Sequence, residues 1–186
     1  QRVFEKMAFR ENPDGWLAVV PIPRHALDDL RLGPTPLLIV VEAVEKPGNL
    51  GAILRSADAA GADGLILCDP TVDIGNPNVI RSSRGTVFSV PVAEASSQET
   101  LAWLRAHNIA VVAATPEASI LYNDVDLRGP VAVTVGAERD GLSDVWRQNA
   151  DVKARIPMSG RVNSLNVASA TTLFLFEVVR QRSRRA

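Results

Sequence analysis

The amino-acid sequence predicts an α/β domain built on a mostly parallel sheet with helices on both faces. Two observations lead there. Runs of strand length such as Leu37–Val41, Leu65–Cys68 and Val131–Val135 are apolar almost throughout rather than alternating, the pattern of strands buried on both faces. Segments with helical spacing lie between them, so strand and helix alternate as a parallel sheet with crossovers requires. Composition agrees, since 186 residues that are 46 % hydrophobic, with mean hydropathy +0.07, supply one good core.

Residues 1–34 read differently from the remainder. Glu11-Asn-Pro-Asp-Gly15 is a turn, Trp16–Val20 a short strand interrupted by Pro21 and Pro23, and Ala26–Leu32 two helical turns closed by Gly33. This stretch is expected to be a linker. The chain opens at Gln1 in mid-pattern without an initiator methionine, so a preceding N-terminal domain is expected. The domain proper is placed at 35–186. Its predicted order is strand Leu37–Val41, helix Leu50–Ala60, strand Gly64–Cys68, helix Asn78–Ser83, strand Val87–Val90, helix Gln98–His107 and strand Ile109–Ala114. Strand Val131–Val135, helix Leu142–Gln148, strand Val152–Ile156 and an apolar helix through Thr171–Val179 complete it.

Composition also narrows the function. No apolar run approaches the roughly 20 residues of a membrane span, and no signal pattern opens the chain. The single Cys68 ends an apolar stretch, which fits a buried thiol rather than a disulfide, metal site or nucleophile. A cytoplasmic protein is the default. Net charge −1 and pI near 6.2 argue against a protein that coats nucleic acid non-specifically, so RNA or DNA contact needs a local patch. Arg180, Arg182, Arg184 and Arg185 are one candidate, and a solvated helix end is the equally good structural alternative. His25 and His107 lie in unrelated segments, and Asp58, Asp69 and Asp73 form no ligand pattern, so a metal centre is not expected.

Three strand-to-helix junctions carry the chemistry. In parallel sheets ligands collect at the carboxyl ends of strands, where all three fall. The first, Glu42 to Arg55, has Gly48 and Gly51 for close backbone approach, with Asn49 and Arg55 six residues apart. The second, Thr134-Val-Gly-Ala-Glu-Arg-Asp-Gly-Leu142, sets two glycines around Glu138, which can accept hydrogen bonds from a ribose or amine. Its spacing is neither the dinucleotide fingerprint nor a P-loop. The third runs from Ile156 to Ala170 and gathers Asn163, Ser164 and Asn166 before a helix, with Asn163 or Ser164 as the expected N-cap. Each alone also reads as an ordinary turn or cap.

Together they resemble a family. Asn49-x-Gly51-x-x-x-Arg55, Gly136-x-Glu138-x-x-Gly141-Leu142, and Ile156-Pro-Met158 with Ser164-Leu-Asn166-Val167 look like the three motifs of the SpoU-type RNA ribose 2′-O-methyltransferases of the SPOUT superfamily. The motifs come in the family's order over about residues 37–182, and Ser82-Ser-Arg-Gly85 followed by Val90-Pro-Val92 resembles the family's middle loop and strand. Ala168 departs from the serine found in many members.

The resemblance implies a C-terminal trefoil knot, a feature sequence rules alone would not produce. It also implies S-adenosylmethionine as cofactor and a homodimer. Residues 1–34 then become a linker or the remnant of an absent RNA-binding domain. The substrate it implies is structured RNA, ribosomal in preference to tRNA. Thr134, Gly136, Ile156, Met158, Leu165, Asn166 and Val167 would hold the cofactor. Glu138, Ser164 and Asn166 would be the polar members of the site, Arg55 its catalytic arginine and Asn49 the partner that orients it. An ordinary guanidinium, with a pKa above about 12, cannot take a proton. Arg55 is therefore either a base tuned in the RNA complex or a cation that stabilises the alkoxide. A silent RNA-binding paralogue would be expected to lack Arg55 or Asn166, and a flavodoxin-like regulator would not explain three motifs.

Overall fold

A computed structural model describes residues 2–8, 15–16, 18–22 and 24–183. Its elements in chain order are α1 (Arg2–Met7), β1 (Leu37–Glu42), α2 (Pro47–Ala60), β2 (Gly64–Cys68), α3 (Pro77–Ser83), β3 (Val92–Ala95) and α4 (Ser97–Ala106). They continue with β4 (Ala110–Ala114), the two-residue β5 (Ile120–Leu121), β6 (Val131–Val135), α5 (Asp144–Asn149), β7 (Val152–Arg155) and α6 (Val167–Ser183). The described strands form one sheet in the order β3-β2-β1-β6-β4-β7-β5, every neighbouring pair parallel.

Alternation along the strands divides the core into two layers. Ile39, Val41, Val133 and Val135 face α2 and α6, where they meet Ile53, Leu54, Phe174 and Leu175. Leu38, Val40, Ile66 and Ala132 face α4 and α5, where they meet Leu104 and Trp146. Burying each large side chain contributes about 1.5–3 kcal/mol, so the two layers dominate stability.

The strand order positions the site. From β1 the chain leads outward through β2 to β3, whereas from β6 it leads the other way to β7. The β1/β6 boundary, paired in register from Leu37 with Val131 to Val41 with Val135, is therefore the topological switch point where ligands bind in such sheets.

Several expectations need correction. Val87–Val90 is not a strand: Thr86–Phe88 forms a 3₁₀ turn, with Val87 and Val90 buried while Phe88 is exposed, so the apolar spacing is that of one helical turn. Pro91 has no N–H to give a ladder, and the strand starts at Val92. Ile120–Leu121 adds a short edge strand that the sequence reading missed. Ala26–Leu32 yields only a 3₁₀ turn at Leu27–Asp29. Trp16–Val20 shows no strand among its described residues; Trp16 and Val19 are 92 % and 90 % exposed and have no face to bury. The turn residues Glu11–Asp14, like Leu17 and Pro23, lie outside the described residues. From His25 the chain follows the sheet edge, its N–H donating to the Val92 carbonyl at 3.1 Å, and Leu30 is buried in the core.

Candidate active site

The loops after β4, β6 and β7 surround a cavity of about 450 Å³, closed on its remaining side by the start of α6. That volume suits a ligand of cofactor size. The loop after β6 is wound tightly, with the Gly141 N–H donating to the Ala137 carbonyl at 2.9 Å. A Cβ on Gly136 would press on the Gly141 carbonyl and come within 2.5 Å of the Leu142 nitrogen, so only glycine permits this close backbone approach.

One hydrogen-bonded chain ties the three motifs together. Asn49 Nδ2 donates to Glu138 Oε1, and the Lys46 ammonium pairs with Glu138 Oε2. Asn166 Nδ2 donates to Asn49 Oδ1 at 3.1 Å. Asn166 Oδ1 accepts from the Ala168 and Ser169 N–H groups at 3.0 and 3.4 Å. Residues 89 and 117 positions from Asn49 thus meet it at the cavity rim. Asn166, not Asn163 or Ser164, is the N-cap of α6; the earlier candidates stay in the loop, where both line the cavity.

The other expected residues separate into two groups. Gly136, Glu138, Ile156, Met158, Ser164, Leu165 and Val167 line the cavity. Thr134 is fully buried within β6, and its hydroxyl has no hydrogen-bond partner. Arg55 is exposed on α2 and opens onto a second groove rather than the cavity. The C-terminal arginine patch is largely committed elsewhere. Arg182 donates to the carbonyls of Thr35, Pro36 and Gly129 at 2.9, 3.1 and 2.7 Å, and burial pulls its pKa below the usual arginine range. Arg180 makes a two-bond pair with Glu177 at 2.6 and 2.7 Å. Arg184 and Arg185 lie outside the described residues.

Sequence reasoning gave no role to Lys46 or to a buried polar group beneath the site. Glu42, 5 % exposed at the end of β1, accepts from Ser97 Oγ at 3.0 Å and from the Ser143 N–H at 2.7 Å. Ser97 Oγ also lies 2.7 Å from Asp69 Oδ2 and accepts from Trp146 Nε1 at 3.1 Å. Glu42 thereby joins the ends of β1, α4 and α5, and fixes the far end of the Gly136–Leu142 loop. Its signal was an acidic residue closing an otherwise apolar strand. Nearby, burial pushes the Cys68 thiol up to about 12, which leaves it unreactive. Among the described residues no group of His, Cys, Asp or Glu is arranged to hold a metal ion; His107 stacks on Trp103 with ring centroids 4.3 Å apart.

Comparison with known proteins gives the arrangement its context. The model of the SpoU rRNA Methylase family matches residues 36–176. A 23S rRNA (uridine(2479)-2′-O)-methyltransferase of Streptomyces viridochromogenes is 37 % identical over 178 residues, covering 92 % of this chain and 62 % of that protein. The 23S rRNA (guanosine-2′-O-)-methyltransferase RlmB of Xylella fastidiosa is 42 % identical over 163 residues, covering 86 % and 65 %. Among solved structures, the SpoU methyltransferase AviRb of Streptomyces viridochromogenes in complex with AdoMet superposes with a TM-score of 0.82 at 36 % identity, covering 87 % of this chain and 66 % of that one. An AdoMet-bound rRNA methyltransferase from Sinorhizobium meliloti gives 0.81 at 38 %, covering 84 % and 60 %. The chain spans less than two thirds of the length of these relatives.

Proposed function

Because the chain belongs to the SpoU rRNA methylase family, we propose that it transfers a methyl group from S-adenosylmethionine to a ribose 2′-hydroxyl of ribosomal RNA. The observation that carries this reading is the bond chain from Asn166 through Asn49 to Glu138, which joins all three motifs at the rim of a cavity of cofactor size. Ribosomal RNA is preferred over tRNA because relatives named for 23S rRNA reach 37–42 % identity, whereas a neighbour named as a tRNA modifying enzyme reaches 27 %. The reading includes a C-terminal trefoil knot formed by the loops 136–142 and 156–166. The reading places the work in the cytoplasm, with the ribosomal RNA for which the bacterial relatives are named.

The cavity's donor set fits the cofactor. It offers apolar walls from Ile156, Met158, Leu165 and Val167, open backbone at Gly136, and acceptor groups at Glu138 and Ser164. Bound there, the cofactor supplies an electrophilic methyl group on a sulfonium sulfur, with no metal required. Asn49 and Asn166 hold Glu138 at the rim. Thr134, sealed in the sheet, stays outside the cavity lining. Arg55 works as a cation: its guanidinium stabilises the charge that develops as the 2′-oxygen gives up its proton to water. Leu173 and Phe176 are 38 % and 45 % exposed on α6 and belong to a two-fold homodimer interface in this reading.

Calorimetry with S-adenosylhomocysteine in the presence of a chelator tests the cofactor assignment. Saturable binding is expected. Absence of heat with this compound, together with binding of NAD or a nucleoside triphosphate, would overturn it.

A further inference from the structure

A second concavity, of about 590 Å³, opens between α2 and α3, lined in part by Pro47, Gly48, Arg55, Asn78, Arg81 and Arg84. Three arginines around one groove stand out in a chain of net charge −1. All three are exposed, and among the described residues none has a carboxylate partner. Like charges gathered this way repel one another and favour an anion among them.

The backbone is arranged to gather them. Gly51 lies one turn before Arg55, and a Cβ there would collide with Ser82 Oγ and come within 2.7 Å of the Ser83 nitrogen. Its absence lets α3 press against α2, which brings Arg81 and Arg84 to the groove that Arg55 also lines. Arg84 ends α3 in the left-handed region, with φ 53° and ψ 33°. Glycine adopts that conformation freely and other residues avoid it, so a turn alone would not call for arginine. The groove also adjoins the cavity: Pro47 and Gly48 line the one, and the next residue, Asn49, holds Glu138 at the rim of the other.

We propose that this groove is a track for the phosphate backbone of the RNA substrate, in which Arg81 and Arg84 hold phosphates flanking the target nucleotide while Arg55 faces the ribose. The proposal rests on the RNA methylation reading above. Arginine suits the role because its planar fork meets phosphate oxygens in pairs. Such contacts set register without reading sequence, so choice of site falls to other contacts.

The test measures binding of an unmodified 23S rRNA transcript to the whole chain, over about 50–200 mM salt, for the wild type, Arg81→Ala, Arg84→Gly and the double variant. Each substitution is expected to weaken RNA binding about 5- to 10-fold and to lower the salt slope by about 1, while S-adenosylhomocysteine affinity stays within about twofold. Arg84→Gly relieves the left-handed backbone, so its thermal midpoint should not fall and lost folding cannot mimic the effect. Unchanged RNA affinity and slope in the double variant would overturn the track. So would loss of the homodimer in light scattering, which would make the groove a subunit interface, or a wild type with no RNA affinity. A wild type that binds RNA through these arginines yet methylates none would instead sink the function and leave the track standing.

Discussion

Gly136 shapes the cavity by what it lacks. Gly136→Ala would drive a Cβ into the Gly141 carbonyl and the Leu142 nitrogen, and the loop that carries Glu138 would have to open. Cofactor affinity measured by calorimetry should fall about 10-fold or more, a cost of about 1.4 kcal/mol. Arg55 is expected to behave oppositely, because it lies outside the cavity. Arg55→Ala should leave cofactor affinity nearly unchanged while methyl transfer drops about 10²-fold or more. Cys68 makes a third case. Burial raises its folded pKa from 9.0 to about 12, so folding favours the protonated thiol. The stabilisation is whole below pH 9 and is lost as pH rises toward 12, by at most about 1.4 kcal/mol per unit. Thermal melts of the wild type should therefore decline over that window more steeply than melts of Cys68→Ala.

At the scale of elements, α6 carries the clearest prediction. One side of it packs Phe174, Leu175 and Val178 into the core, while Leu173 and Phe176 remain exposed. Replacing both exposed residues with Glu should convert a dimer to a monomer in light scattering without unfolding the chain, because neither side chain belongs to the core. A wild type that is already monomeric at micromolar concentration would count against the interface. Element types were legible wherever burial on two faces made strands continuously apolar, as in β1, β2 and β6. They were not legible where one apolar spacing suits two structures. Val87 and Val90 are three apart, which a single turn buries as well as a strand does, and Pro91 settled the matter. The α6 cap was misplaced by two or three positions because Asn163, Ser164 and Asn166 all have side-chain oxygens able to cap, and only the tertiary bond to Asn49 selects Asn166.

Strand order, at the scale of the whole molecule, explains why Asn49, Glu138 and Asn166 meet. The alternating pattern announced a parallel sheet but did not reveal that β6 inserts beside β1, which brings the first two motifs to one switch point. Resemblance to a family named the residues, and geometry showed their bonds. Lys46 and Glu42 escaped notice for different reasons. Lys46 acts only through Glu138, 92 positions away, and Glu42 only through Ser97 and Ser143, 55 and 101 positions away. Such pairings carry no local signal.

Methylation of ribosomal RNA is tested by transfer of tritiated methyl from S-adenosylmethionine to unmodified 23S rRNA, followed by alkaline hydrolysis and nucleoside mapping. 2′-O-methylation predicts label in an alkali-resistant dinucleotide, because a 2′-O-methyl group protects the adjacent phosphodiester, and loss of that label with Arg55→Ala. Label on a base carbon or nitrogen, or label confined to tRNA when both RNAs are offered, would contradict it.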